Sequence, residues 1–294
     1  MRPTQKYLFT YDRDAKPLTV IKSGEKVTVE TEDAFRGLIK KEEDFTSENI
    51  NEILNLSCPL TGPIFIKDAK PGNWLEITIN DITCGSYGIT IIGEQFSAIG
   101  SQFKENKVKI SPIINKIIHF NEKIKIPVRP MIGTIGTAPA LEKPLSIFQS
   151  NYGGNMDCPT ISIGNIIYLP VFVDGGYLFL GDVHAIQGDG EMINPFETTA
   201  RIKLTINVVK EKSSNGKWPR IKTDNTIETL GCDRTFYTAA QIAMIQMVKW
   251  LVEDYGFSFE DSAFLCGQIV DARPCSIINS YHSARCVINI EYLN

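Results

Sequence analysis

At 294 residues, with 43% hydrophobic and 22% charged side chains, the chain has the balance of a globular protein with a sizeable core, which argues against disorder. A net charge of −4 argues against a nucleic-acid backbone binder, which carries a basic excess or stripe. The seven cysteines form no CxxC pair, the N-terminus shows no apolar run like a signal peptide, and no apolar stretch reaches membrane-spanning length. Reduced thiols, a cytoplasmic location, and neither nucleic acid nor membrane as partner are therefore expected.

In chain order, residues 8–11 and 18–21 read as strands, and residues 26–31 alternate polar and apolar side chains as a half-buried strand does. Asp33, at the end of that strand, reads locally as a turn former or helix cap. Ser47-Glu48-Asn49-Ile50 ahead of Ile53, Leu54 and Leu56 predicts a short amphipathic helix. Residues 64–66, a Pro71-Gly72 turn and the alternating residues 74–82 read as a hairpin, with further short strands at 89–92 and 108–118. Residues 131–140 are small, apolar and glycine-rich. Lacking a Gly-Lys-Ser/Thr ending, they are no phosphate loop; they either pack closely or line a pocket.

The segment from Gly181 to Glu191 reads Gly-Asp-Val-His-Ala-Ile-Gln-Gly-Asp-Gly-Glu, following an apolar run that ends at Leu180. Asp182 and His184, two residues apart, leave an extended backbone on the same face. Asp157 adds a carboxylate beside Gly153 and Gly154. Any one of these acids reads as a turn former. Together they form a candidate metal site: mixed nitrogen and oxygen donors suit zinc or a related divalent ion, and an all-oxygen shell suits calcium or magnesium.

Residues 199–209 read as another strand and 210–217 as a charged turn. One long helix is predicted over 238–255, with Ile242, Ile245, Met247, Val248, Leu251 and Val252 as its apolar face and Gly256 as its stop. A second begins at Ser258 and runs to about Gly267. The expected fold is mainly β, sandwich-like or barrel-like. Residues 1–234 form a β-rich body carrying the site, and residues 235–294 a smaller α+β portion packed on it.

Gly153-Gly154-Asn155-Met156-Asp157, Leu169-Pro170-Val171 and the block from Gly181 to Glu191 resemble the signature region of the acetamidase/formamidase family. Three further segments fit in the family's order: Thr31-Glu32-Asp33-Ala34-Phe35-Arg36-Gly37, Leu60-Thr61-Gly62-Pro63-Ile64-Phe65-Ile66 and Ile132-Gly133-Thr134-Ile135-Gly136-Thr137-Ala138-Pro139-Ala140. The resemblance implies hydrolysis of small aliphatic amides to a carboxylate and ammonia by a metal-activated water. On that basis Asp157, Asp182 and His184 are the metal-ligand candidates, with Asp33 a fourth, and the expected ion is zinc, with calcium the alternative. Glu191 is the expected proton shuttle; Asp189 is its rival, or the group orienting His184 through its other ring nitrogen. A small amide is the expected substrate and a homo-oligomer, first a dimer, the expected assembly.

One departure from the family's pattern lies at Met192-Ile193-Asn194-Pro195-Phe196-Glu197, where small residues and glycine more usually precede the second Glu; proline there reshapes one edge of the pocket. Two other readings stand beside the metal-dependent amidase. One is a non-catalytic β-rich calcium- or ligand-binding protein using the same aspartates structurally. The other makes Cys158, next to Asp157, a thiol nucleophile.

Overall fold

The computed structural model describes residues 7–46, 49–210 and 217–293. Among these residues the β-branched, alternating segments pair into two sheets, one of eleven strands and one of eight. Both orders run from edge to edge, so the architecture is two open sheets and no closed barrel. Pairing is antiparallel throughout except where Thr19–Ile21 runs parallel to Leu60–Ile66.

The main core lies between the sheets. From the first sheet, Ile64, Ile135, Leu178 and Leu180 meet Leu75, Ile77, Ile167 and Leu204 from the second, and all of these are fully buried. The period-two alternation of Trp74–Cys84 and Ala200–Val209 produces this, sending one set of side chains inward and the polar set out. Each buried aliphatic side chain contributes about 1.5–3 kcal/mol.

Residues 64–82 do not form the expected hairpin. Leu60–Ile66 belongs to the first sheet and Trp74–Cys84 to the second, so the Pro71-Gly72 turn carries the chain from one sheet to the other. Two alternating strands around a tight turn look alike in sequence whether they pair or face each other across a core. Residues 8–11 make only isolated bridges, Leu8 to Leu60 and Thr10 to Leu145. The Ser47-Glu48 cap and most of the 210–217 turn lie outside the described residues.

The long helix spans Phe236–Tyr255, capped by the Thr235 side chain, which accepts from the Thr238 amide, and ended by left-handed Gly256. Its buried residues include Ala239, Ala243, Trp250 and, from the predicted face, Met247, Val248 and Leu251, whereas Ile245 and Val252 face outward. The helix rests on small residues: a Cβ on Gly231 of strand Thr226–Asp233 would run into the Ala239 carbonyl and the Ala243 amide. Close approach of backbones at Ala239 and Ala243 therefore turns the buried face so that Ile245 and Val252 fall outside it. The shorter helix, Phe259–Ile269, begins at its Ser258 cap, and the strands Asp271–Ser276 and His282–Asn289 extend the second sheet. Among the described residues no helix is long and apolar enough to cross a membrane.

Candidate metal and active site

Strand Leu178–His184 is buried along its whole length in the middle of the first sheet. Met131–Thr137 flanks it on one side; on the other lie Leu60–Ile66 at its start and Glu197–Thr198 at its end. The last pairing sets Glu197 directly opposite His184. Asp157 follows strand Gly153–Asn155 on the far side of Met131–Thr137, and its amide is bound by the Gly133 carbonyl at 3.0 Å. Asp182 from the same strand, with Asp157 and Glu197 from more distant parts of the chain, thus converge on one imidazole.

His184 Nε2 lies 3.3 Å from Glu197 Oε2, 3.8 Å from Asp182 Oδ1 and 3.9 Å from Asp157 Oδ1. Donor atoms of Asp157, Asp182 and His184 all fall within 4.8 Å of one another. Each carboxylate has one oxygen held by a neutral donor. Asn279 Nδ2 donates to Asp157 Oδ2 at 2.6 Å and Asn194 Nδ2 to Glu197 Oε1 at 3.0 Å. The Thr134 hydroxyl is shared between Asp182 Oδ2 at 3.0 Å and Asn155 Oδ1 at 2.6 Å. The other oxygens, Asp157 Oδ1, Asp182 Oδ1 and Glu197 Oε2, are buried without a hydrogen-bond partner, and these are the ones that face His184. Orphaned buried oxygens are costly, and an arrangement that orients one oxygen of each pair and leaves its twin free fits a divalent cation.

On its other side the imidazole is fixed by Gln187. The Gln187 Nε2 group donates to the carbonyls of Asp157 at 2.6 Å and Cys275 at 3.1 Å, so its Oε1, 2.7 Å from His184 Nδ1, is the acceptor. His184 Nδ1 therefore carries a proton and Nε2 is the nitrogen turned toward the acids. This is the orienting role that sequence reasoning offered to Asp189. Asp189 instead binds Arg285, which donates from Nη2 to Asp189 Oδ1 at 2.7 Å, and its side chain is 40% exposed.

Charge balance points the same way. Asp157, Asp182, Glu191 and Glu197 are all buried around one histidine. Burial, with Glu191 and Asp182 close by, pushes Asp157 well above the carboxylate range. Burial also pushes Glu191 up to about 7 and Glu197 up to about 8. Burial acts on Asp182 in the same direction, but the nearby imidazole of His184, with the Thr134 hydroxyl and Cys58 beside it, outweighs that and lowers it. His184 is raised well above its ordinary value, because Glu197 and Asp182 overcome its own burial. A site this acidic retains protons where a cation would replace them.

Backbone strain gathers here too. Asp157, Asp182 and Glu191 have φ of 45°, 56° and 40°, in the left-handed region that non-glycine residues seldom occupy. Gly133 leaves room for them: a Cβ there would lie 2.6 Å from Asp157 Oδ1 and 2.9 Å from His184 Cε1. The glycine-rich segment thus packs closely and borders the site at once. Gly133→Ala is expected to destabilise the fold by about 1–3 kcal/mol and to weaken metal binding at least tenfold. Denaturant melts and a metal titration check this, and an unchanged metal affinity contradicts the tight packing.

The acids open onto a cavity of about 240 Å³ that reaches Asp157, Asp182, Glu191 and Glu197. A larger cleft of about 630 Å³ on the other side of the 186–196 segment borders Asp189 and Glu191 but not Asp157, Asp182 or His184. We place the chemistry in the smaller one because the converging acids are there. Cys158 lies in neither; its Sγ is 3.2 Å from Thr160 Oγ1 and 3.5 Å from Arg285 Nη1.

Asp33 stands outside the three-residue cluster. Its Oδ1 accepts from the amides of Phe35 at 2.8 Å and Gly37 at 3.1 Å, the turn-forming role its local sequence suggests. Burial pushes its carboxyl from 3.8 up to about 6. Between those values the folded protein keeps a proton that the unfolded chain has released, so Asp33 subtracts stability as pH rises through that window. Asp33→Asn is expected to gain up to roughly 3 kcal/mol over the parent above pH ~6 and to lose that advantage toward pH ~4. Urea melts across the range check this; a difference independent of pH contradicts it.

Of the residues around the cluster, sequence reasoning missed Glu197, Gln187, Asn279 and Thr134. Gln187, three residues beyond His184, carried a local signal; Asn279 carried none.

The family model described as Acetamidase/Formamidase family matches residues 4–152 and 145–283. The fold is similar to the crystal structure of an acetamidase from Bacillus halodurans, with TM-score 0.91 and 33% identity over 97% of this chain and 96% of that one. It is similar also to a recombinant predicted acetamidase/formamidase from Thermoanaerobacter tengcongensis, with TM-score 0.92 and 32% identity over 98% of this chain and 94% of that one. Among curated relatives, a formamidase of Methylophilus methylotrophus is 31% identical over 74 residues, 24% of this chain. That match spans only 18% of the relative's own length.

Proposed function

Since the chain belongs to the acetamidase/formamidase family, we propose that it is an amidase hydrolysing carboxylic amides to a carboxylate and ammonia at the Asp157–Asp182–His184 cluster. The observation carrying this reading is the set of three unpartnered carboxylate oxygens turned toward His184 Nε2 beside a solvent-reaching cavity. Asp157, Asp182 and His184 would hold a divalent cation, with Glu197 close enough to join them. The imidazole favours zinc over calcium, which takes oxygen donors. Such an ion supplies positive charge that polarises a carbonyl and lowers the pKa of water.

The chain's own groups supply the rest. Asn279, Thr134, Asn194 and Gln187 hold the acids and the imidazole in place before substrate arrives. Glu191 lines the cavity with its Oε2 unpartnered. In our reading it takes one proton from the attacking water as the oxygen bonds to the carbonyl carbon. It then delivers that proton to nitrogen as the C–N bond breaks, with the bonding pair leaving on nitrogen. Carboxylic acid and ammonia result, and they part as carboxylate and ammonium.

Metal analysis of purified protein paired with ammonia release from formamide, acetamide and propionamide tests the proposal. About one zinc per chain, and turnover abolished by chelation and restored by zinc, is expected. Bound calcium with no ammonia from any amide would support the non-catalytic binding protein instead. The same reading takes the protein as a cytoplasmic homo-oligomer, first a dimer; light scattering that finds a monomer at working concentration removes the assembly from it.

A further inference from the structure

The cavity beside the acids has two unlike ends. Its polar end is built from Asp157, Asp182, Glu191 and Glu197, with Asn155 and Asn194 among them. Away from that end the wall carries the apolar side chains of Phe35, Leu54, Phe96, Ile147, Phe148 and Ile278, interrupted by Ser57, Gln95 and Ser280. Phe35 and Phe96 are buried, while Ile147 is 38% exposed, so apolar side chains occur both in the interior of the cavity and, beside the exposed Gln95 and Ser280, toward its mouth. Its volume of about 240 Å³ holds roughly eight water-sized groups at ~30 Å³ each. Formamide has three non-hydrogen atoms and acetamide four. Even with a cation and an attacking water beside it, either leaves part of the cavity to water lying against hydrocarbon.

Resting on the amidase reading, we infer that the preferred substrate is a primary amide with an apolar acyl chain of about four carbons, its amide at the acid end and its chain along the Phe35, Leu54 and Phe96 side chains. Each methylene moved from water onto such a wall favours binding by about fourfold. The gain continues while the cavity has room and stops once the chain reaches its mouth.

The test is kcat/KM of the metal-loaded protein for formamide, acetamide, butyramide, hexanamide and octanamide, together with thermal-shift titrations of the matching carboxylates. Butyramide is expected to exceed acetamide about sixteenfold, with little further gain at hexanamide or octanamide, and carboxylate affinity is expected to follow the same order. Ile147→Ser, at the mouth, is expected to lower the butyramide-to-acetamide ratio about threefold. Highest kcat/KM on formamide or acetamide, or an Ile147→Ser ratio equal to the parent's, overturns the chain-length inference and leaves the amidase reading standing. Turnover of no amide overturns the amidase reading and the substrate assignment with it, even where carboxylate binding climbs with chain length and the apolar wall alone survives.

Discussion

His184→Ala protein is expected to purify without a stoichiometric divalent ion and to hydrolyse amides no faster than the chelated parent. Outer-shell partners of metal ligands typically cost 10–100-fold in affinity when removed, so loss of the cluster's imidazole is expected to exceed about a hundredfold. The variant should still fold, because its acids have another way to become neutral. Asp157, Glu191 and Glu197 already sit above their ordinary values through burial, and without the imidazole beside them they take up protons rather than remain as unpaired buried charges. Near-ultraviolet circular dichroism should match that of the chelated parent, while added zinc should no longer raise the melting temperature. For the parent, free zinc at a hundred times Kd should stabilise by about 2.7 kcal/mol. A variant that keeps one equivalent of metal and its zinc-dependent stabilisation would place the ion elsewhere.

Glu191→Gln separates the shuttle from the ligands. Glutamine keeps the length and shape of the side chain but carries no exchangeable carboxyl proton. Metal content is therefore expected to stay at the parental level, while kcat falls by about 10²–10⁴ with KM little changed. Glu191 sits in left-handed backbone, and its segment is tied to the turn after strand Asp271–Ser276 by the bond from the Ile277 amide to the Gly190 carbonyl, at 3.0 Å. The replacement touches neither feature. Turnover within threefold of the parent would remove Glu191 from the proton path. Loss of metal would instead put it in the ligand set.

How much of this was legible in the sequence follows from how far apart the partners lie along the chain. Asp182 and His184 share one strand, so period-two reasoning paired them, although the left-handed backbone at Asp182 is not the regular extended chain that reasoning assumed. Glu197 joins them because the 185–196 segment returns antiparallel and sets it opposite His184, a register the sequence does not display. Asp189 looked equivalent to its neighbours until its partner was known. That partner, Arg285, lies 96 residues further on in the strand His282–Asn289 of the other sheet. The helix caps at Thr235 and Ser258 depend on neighbours three residues away, and the two helices began within two residues of where the pattern placed them. Residues 64–82 misled for the opposite reason: their local pattern was right, and the choice between pairing and facing depends on the whole core.

Zinc-edge anomalous diffraction from crystals of the active protein tests the centre of this account most directly. One strong peak bounded by Asp157 Oδ1, Asp182 Oδ1 and His184 Nε2, about 2.0–2.2 Å from each, is the predicted result. Crystals of protein that releases ammonia from amides, yet show no density of any ion among those three atoms, would contradict it.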